Sequence, residues 1–539
     1  MKKGFSILIL MLVLSLAFTA VTAAQDEDLQ ELDVFISVAL PDYSGSSIVG
    51  DIIREDTGIK LNREYLVGDL EQKVGLMIAS QDYPDMLVAA HFTDKFVEAG
   101  ALIPLEDLIE EHAPNIKKYY ANHLDALTKE DGHIYYLPQL AIPFEPAERR
   151  YPAVGFFISK RVLEANDYPI IKSMDQYFQL IEDYQNENPE YNEQNTIGYT
   201  TLFDSWRRFA TTNGPMHLMG YPNEGGFVPV KEGGEYVVRP YYGSNVEKYY
   251  YGKLNEMYNK GVMDQEAFVS NFDQYLEKLS SGRVLGTHNQ YWQIQQAQEV
   301  LIDEHPDNIM IPFPVTYDPI VEEHVREKPY VQTTQGMGIT VDAEDPVAAI
   351  KYLDYLVKEE TQHLLQWGIE GEHYQVDEDG MFYRTEEQLA MFQDPAWVRD
   401  EFGRHYYYNA FPSLTGLDSN GNSYMPIRQP SAIYANSSDA EKEVMDAYGV
   451  KSFTGLYNKP FEDRKYFPLW TITLPTNSEA QIESTRMTDA LVQHIPTLVM
   501  DSTDKFETNW DAYTEQINGL MDAQIEEYQK QIDWRMENW

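Results

Sequence analysis

The run Thr287-His288-Asn289-Gln290-Tyr291-Trp292 sets amides beside aromatic rings. Aromatic faces suit the apolar C–H faces of a sugar ring, and side-chain amides bond its hydroxyls. Trp206 stands in a comparable place, in Thr200-Thr201-Leu202-Phe203-Asp204-Ser205-Trp206-Arg207-Arg208. Each run follows a predicted strand, Ile197 to Tyr199 before Trp206 and Val284 to Gly286 before Trp292. Ligands of open α/β sheets bind beyond the carboxyl ends of parallel strands. Trp206, Asn289, Tyr291 and Trp292 are therefore candidates for holding a solute, the two tryptophans as stacking platforms. Reactive chemistry finds less support. His91 has no serine or carboxylate at motif spacing. Glu370 and Glu372 flank Gly371, but nothing pairs them as acid and base. No phosphate loop, zinc signature or nucleophile elbow is present, so no catalytic residue, metal or cofactor is expected.

The elements that position such residues start with an apolar strand within Leu32–Leu40. A capped helix follows from Ile48, and Thr57-Gly58-Ile59 turns it into a second strand. Asp69 to Ile78 reads as a helix and Tyr83 to Val88 as a third strand. This β-α-β-α-β order predicts a parallel sheet with helices on both faces. Its carboxyl ends hold Tyr43 and His91, the candidate ligand contacts on this side. A later stretch, residues 331–376, reads as a strand at Met337–Val341 and an Asp345 cap before Pro346. One helical face then runs through Val347, Ile350, Leu353, Val357, Leu364 and Trp367, with Gly368 as the stop.

The chain has 539 residues, 87 acids against 41 lysines and arginines, a formal charge of −46 and no cysteine. Such a body repels nucleic acid and anionic membrane surfaces, so no nucleic-acid partner is expected. With 43% hydrophobic residues the acidity belongs to a folded surface rather than a disordered chain. Lys2 and Lys3 precede an apolar run to Phe18 and the small residues Ala20 to Ala24, which reads as a signal peptide cleaved near Ala24. The rest is too long for one core and implies two domains. Without cysteine there is neither a disulfide nor a lipid-acceptor thiol. The protein is expected to be secreted, periplasmic or extracellular and surface-associated, and not a lipoprotein.

Several stretches carry a resemblance. Tyr352-Leu353-Asp354-Tyr355-Leu356 and Trp367-Gly368-Ile369-Glu370-Gly371-Glu372-His373-Tyr374 resemble the "lDYlyseEgq…yGIEGehYev" text of family 1 extracellular solute-binding proteins. The similarity is to the long-chain subgroup that includes alginate-oligosaccharide-binding proteins. Tyr83 to Met86 matches its "yPDi", Gly100 to Ile116 its "galiPLedLIekyaPNik", and Asp131 to Pro138 its "dGKiYglP". Leu254 to Asp264 and Trp510 to Gln531 resemble its later helices. The resemblance implies an α/β, two-lobe, periplasmic-binding-protein-like (type II) fold with a hinged interlobe cleft. The expected boundaries are 1–24 signal peptide, 25–144 and 331–376 for lobe 1, and 145–330 and 377–539 for lobe 2. Pro143, Pro146 and Pro152 mark a linker at 139–153, where family members cross between lobes. Arg150 and Tyr151 on it are candidate ligand contacts. Family members often carry a calcium loop at the position of Asp183–Thr196; here its glycines and several acids are missing.

The function implied is a monomeric receptor that captures an oligosaccharide and hands it to the permease subunits of an ABC importer. Two other readings stay open: a secreted glycan-cleaving enzyme whose carboxylate pair hides among the many acids, and a peptide receptor on the same scaffold.

Overall fold

The computed structural model describes residues 29–41, 46–328, 333–408, 410–461 and 468–539. The signal-peptide assignment and Tyr43 lie outside them. Among the described residues no helix is long and apolar enough to cross a membrane. The chain forms two compact units, each made of two segments. One unit takes the residues up to Pro146 with Val331–Pro426; the other takes Ala147–Tyr330 with Ile427–Trp539.

Unit 1 is built on β1 (Gln30–Ile36), α1 (Ile48–Thr57), β2 (Ile59–Tyr65), α2 (Leu70–Ser80), β3 (Met86–Val88) and β4 (Tyr136–Leu137). The Ser47 hydroxyl accepts the Gly50 amide at the start of α1, and Asp69 accepts the Gln72 amide at the start of α2. β1 pairs in parallel with β2 and β3, as the β-α-β reading requires. It ends at Ile36, four residues short of the expected Leu40.

The return strand, Met337–Ile339, enters this sheet between β3 and β4 and runs antiparallel to both. Gly338 sits in a tight place: a Cβ there would meet Leu102 at 2.9 Å. Asp345 caps the next helix by accepting the Ala348 amide. The single helix expected through Trp367 is two, Pro346–Leu356 and Glu359–Gln366, broken where Lys358 turns extended at ψ 144. The Gln362 amide spans the break, donating to the Leu356 carbonyl and accepting the Leu414 amide. Asp354 accepts the Asn115 and Ile116 amides at 2.7 and 2.8 Å, tying the return helix to the helix Pro114–Tyr119.

Unit 1 also continues beyond residue 376, where lobe 2 was expected to resume, as far as Pro426. The reason lies in bonds that hold 377–426 to the return helices. The Trp367 indole donates to the Ser423 carbonyl, and Arg384 donates to the carbonyls of Gln366, Trp367 and His373. The first crossing falls after Pro146 instead of Phe144 because the Ala141 amide donates to the Ser413 carbonyl, the Ala141 carbonyl accepts the Thr415 amide, and the Leu417 amide binds the Glu145 carbonyl.

Unit 2 centres on β5 (Val154–Ser159), α3 (Lys160–Ala165), β6 (Ile197–Thr200), β7 (Val284–Gln290), α4 (Tyr291–Glu304) and β8 (Met310–Phe313). The sheet order is β8-β5-β7-β6, with β5 antiparallel to both neighbours and β6 parallel to β7. All residues of β5, β6, β7 and β8 are buried, as a sheet covered on both faces demands. The helices Asn245–Asn259 and Glu479–Met500 pack against each other and share the same hydrophobic core. Asn255 links them by donating to the carbonyls of Leu498 and Val499.

Candidate functional site

β6 and β7 are the parallel pair of unit 2, and both tryptophans follow their carboxyl ends. β6 leads into a turn in which Ser205 takes a left-handed backbone, φ 49. A residue with a side chain rarely adopts that conformation, and the turn that holds it there aims the next residue, Trp206. Trp292 is the second residue of α4, directly beyond β7. The two indoles lie nearly parallel, 6.0 Å apart at 11°. Phe209 lies beside both, 5.9 Å from Trp206 and 6.2 Å from Trp292.

Each tryptophan is 53% exposed. That leaves on the order of 100 Å² of ring in water on each, and at about 25 cal/mol per Å² forgoes roughly 2–3 kcal/mol of burial apiece. Rings left in water at that cost are accessible for stacking.

Below this surface the groups are neutral and tied down. His288 in β7 has Nδ1 2.7 Å from the Ala210 carbonyl, and His217 has Nδ1 2.9 Å from that of Tyr221. Burial pushes His288 down to about 4, and burial with the neighbouring His288 pushes His217 down to about 3. Neither imidazole carries charge at neutral pH.

The other candidates are placed differently. Asn289 is 0% exposed because β7 runs four residues past Gly286 and takes it into the sheet. Its Nδ2 donates to the Tyr275 hydroxyl, and its Oδ1 accepts the Gln290 amide and Gln293 Nε2. Tyr151 is 4% exposed. Its hydroxyl donates to Glu441 at 2.8 Å and accepts from Gln298 at 2.8 Å. Tyr291 stacks on the Tyr151 ring at 4.2 Å and 7°. Arg150 pairs with the same Glu441 at 3.4 Å and donates to the Asn436 carbonyl. Asn289 is bonded within its own strand and neighbouring helices, while Arg150 and Tyr151, with Tyr291 stacked on the latter, fix the segment after the crossing to the helix Asp439–Tyr448. In unit 1, His91 is exposed in a short turn beyond β3, packed on Phe92 at 4.1 Å. Partial burial and nearby Lys95 hold its imidazole below the usual range.

Two residues of the surface were missed. Phe209 looks like a core residue in sequence; only its spacing of three from Trp206 in a tight turn hints otherwise. Arg207 lies over both Trp206 and Phe272, at 4.5 and 4.1 Å from the ring centres.

Residues 183–196 do not fit calcium. The chain forms a hairpin, Glu190–Tyr191 against Gln194–Asn195, closed by Asn192 and Glu193 at φ 50 and 61. The Asn188 and Pro189 carbonyls are taken by the Thr196 hydroxyl and amide. The Arg161 guanidinium lies 4.5 Å from the Tyr191 ring, a cation where one would have to enter. Among the described residues no group of three or more histidine, aspartate or glutamate side chains is placed to hold a metal ion.

Residues 50–367 match the bacterial extracellular solute-binding protein family, and the chain belongs to it. A fructooligosaccharide ABC transporter substrate-binding protein, FusA of Streptococcus pneumoniae, is 24% identical over 245 residues. That match covers 42% of this chain and 43% of the FusA protein, so the chain aligns with less than half of that relative. Among solved structures, FusA from S. pneumoniae, as an EF-hand mutant in complex with fructo-nystose, superposes with a TM-score of 0.69 at 18% identity. That superposition covers 95% of this chain and 100% of the other. An HMO-binding, ABC-transporter-associated solute-binding protein from Bifidobacterium longum infantis gives 0.66 at 15% identity, over 95% and 100%. The fold is the two-lobe α/β fold of the periplasmic solute-binding proteins.

Proposed function

We propose that this protein is a secreted receptor that captures an oligosaccharide and delivers it to the permease of an ABC importer. The exposed, near-parallel Trp206–Trp292 pair beyond the parallel strands β6 and β7 carries this reading. Two indoles in one surface offer stacking area for adjoining sugar rings, and Phe209 extends it. The names of the relatives, a fructooligosaccharide substrate-binding protein and an HMO-binding protein, agree with a carbohydrate. Binding without turnover is the reading for the chemistry. Among the described residues the candidate surface holds rings and a guanidinium, with no carboxylate pair, and the buried imidazoles of His217 and His288 are held neutral.

The receptor acts outside the cytoplasm, in keeping with its extracellular solute-binding family, and as a monomer. Thermal-shift screening against oligosaccharides and peptides, followed by calorimetry and product analysis, tests the whole. Stoichiometric binding of an oligosaccharide that is recovered intact is expected. Cleaved glycan would establish the enzyme reading instead, and stabilisation by peptides alone the peptide-receptor reading.

A further inference from the structure

Arg207 and Arg208 are neighbours on one turn with opposite fates. Arg208 donates to the Ser205 carbonyl at 2.8 Å and to the Thr488 hydroxyl at 3.4 Å, which accounts for it structurally. The Arg207 backbone amide donates to the Asp204 carbonyl, but its side chain makes no hydrogen bond or ion pair with any described residue, and its Nε is buried without a partner. Asp204, the carboxylate on the same turn, spends Oδ2 on the Phe272 amide. Meanwhile the Arg207 guanidinium carbon lies over the Trp206 and Phe272 rings, 4.5 and 4.1 Å from their centres.

From this we infer that Arg207 binds the solute directly and that the solute carries a carboxylate on a sugar held at the tryptophan pair. The inference rests on the oligosaccharide-receptor reading. A guanidinium is a planar fork of donors that matches a carboxylate two bonds at a time, and stacking between rings pre-organises that fork. Holding a cation between two apolar rings costs solvation, which a neutral hydroxyl returns poorly and an anion returns well. The chain carries 87 acids. Their long-range repulsion of an acidic sugar is screened beyond about 8 Å at physiological salt, so the local guanidinium decides.

The test uses the full secreted chain in calorimetry with matched pairs of sugars. The pairs are galacturonate trimer against galactotriose, sialyllactose against lactose, and cellotriose with and without a terminal glucuronate. In at least one pair the acidic member is expected to bind on the order of 10-fold tighter, with the advantage shrinking as salt rises. Arg207→Gln should abolish that advantage, bringing the acidic and neutral members to equal affinity. Arg207→Lys, which keeps the charge but not the fork, should retain part of it; it also serves if the glutamine variant does not fold. Equal binding of acidic and neutral members, or a preference that survives Arg207→Gln, overturns the inference while leaving the receptor reading intact. Equal loss for both members makes Arg207 a positioning residue for Trp206 and also overturns it. Failure of every sugar to bind overturns both readings together.

Discussion

The exposed indoles and the buried Tyr151 make opposite predictions. Trp206→Ala and Trp292→Ala should each weaken solute binding by about 1–3 kcal/mol, by analogy with stacked bases, while the melting temperature changes little. Tyr151→Phe should do the reverse. It removes the hydroxyl that donates to Glu441 and accepts from Gln298, at about 1–3 kcal/mol of stability, with affinity unchanged. Calorimetry and melting of the three variants decide; a Tyr151→Phe protein that melts normally but binds weakly would put Tyr151 back among the ligand contacts. In sequence these residues look alike, because each is an aromatic near a strand end. What separates them is a partner from a distant segment. Glu441 lies 290 positions from Tyr151, and no local pattern announces it. The place of Asn289, expected past the strand end, differs for a related reason. Thr287, His288 and Asn289 pair with Phe157, Phe156 and Gly155, which extends the strand through residues whose polarity suggested a loop.

At the scale of elements, caps were the readable signals. Ser47, before the helix read as capped, and Asp345, read as a cap, sit where their side chains accept the first free amides, because a helix start is a local problem; Asp69, read as the first helical residue, turns out to be a cap as well. The break at Lys358 was not readable, since the buried face continues across it and the periodicity does not falter. The helix Asn245–Asn259 yields a pH prediction. Glu247 within it is buried, accepting the Gly243 amide and the Tyr513 hydroxyl, and burial pushes its carboxyl up to about 8. In the unfolded chain the same carboxyl ionises near 4.5. Between these values the folded state binds the extra proton, so this residue's contribution to stability falls as pH rises from about 4.5 to about 8. Glu247→Gln, which keeps the shape without the charge, should therefore gain stability over the native protein as pH rises through that window. Denaturant midpoints at pH 5 and pH 8.5 check this; a difference between the two proteins that stays constant with pH rules out a raised Glu247.

At the scale of the whole molecule, the order of the family-like stretches was more informative than any one of them. Asn115 and Asp354 belong to two separate stretches of that text, and in the fold they bind each other. The domain limit at 376 was missed because the Gly368 turn looks like an ending, although Arg384 and Ser423 fasten the next fifty residues or so to it. Closure of a two-lobe receptor on its solute predicts a smaller radius of gyration at saturation than without ligand. X-ray scattering on the two samples measures it, and an unchanged radius would argue for binding without closure.

The place of the return strand bears on how the protein is made. β3 and β4 both wait for Met337–Ile339, which follows Val88 by about 250 residues. At about 5–20 residues per second, a ribosome needs roughly 10–50 s to supply it. For that interval a nascent chain has two unpaired inner edges in its first sheet, the kind of surface on which chains aggregate. Premature termination anywhere before residue 337 would leave a fragment with no means of closing that sheet, so the first 330 residues should not be a viable expression product by themselves.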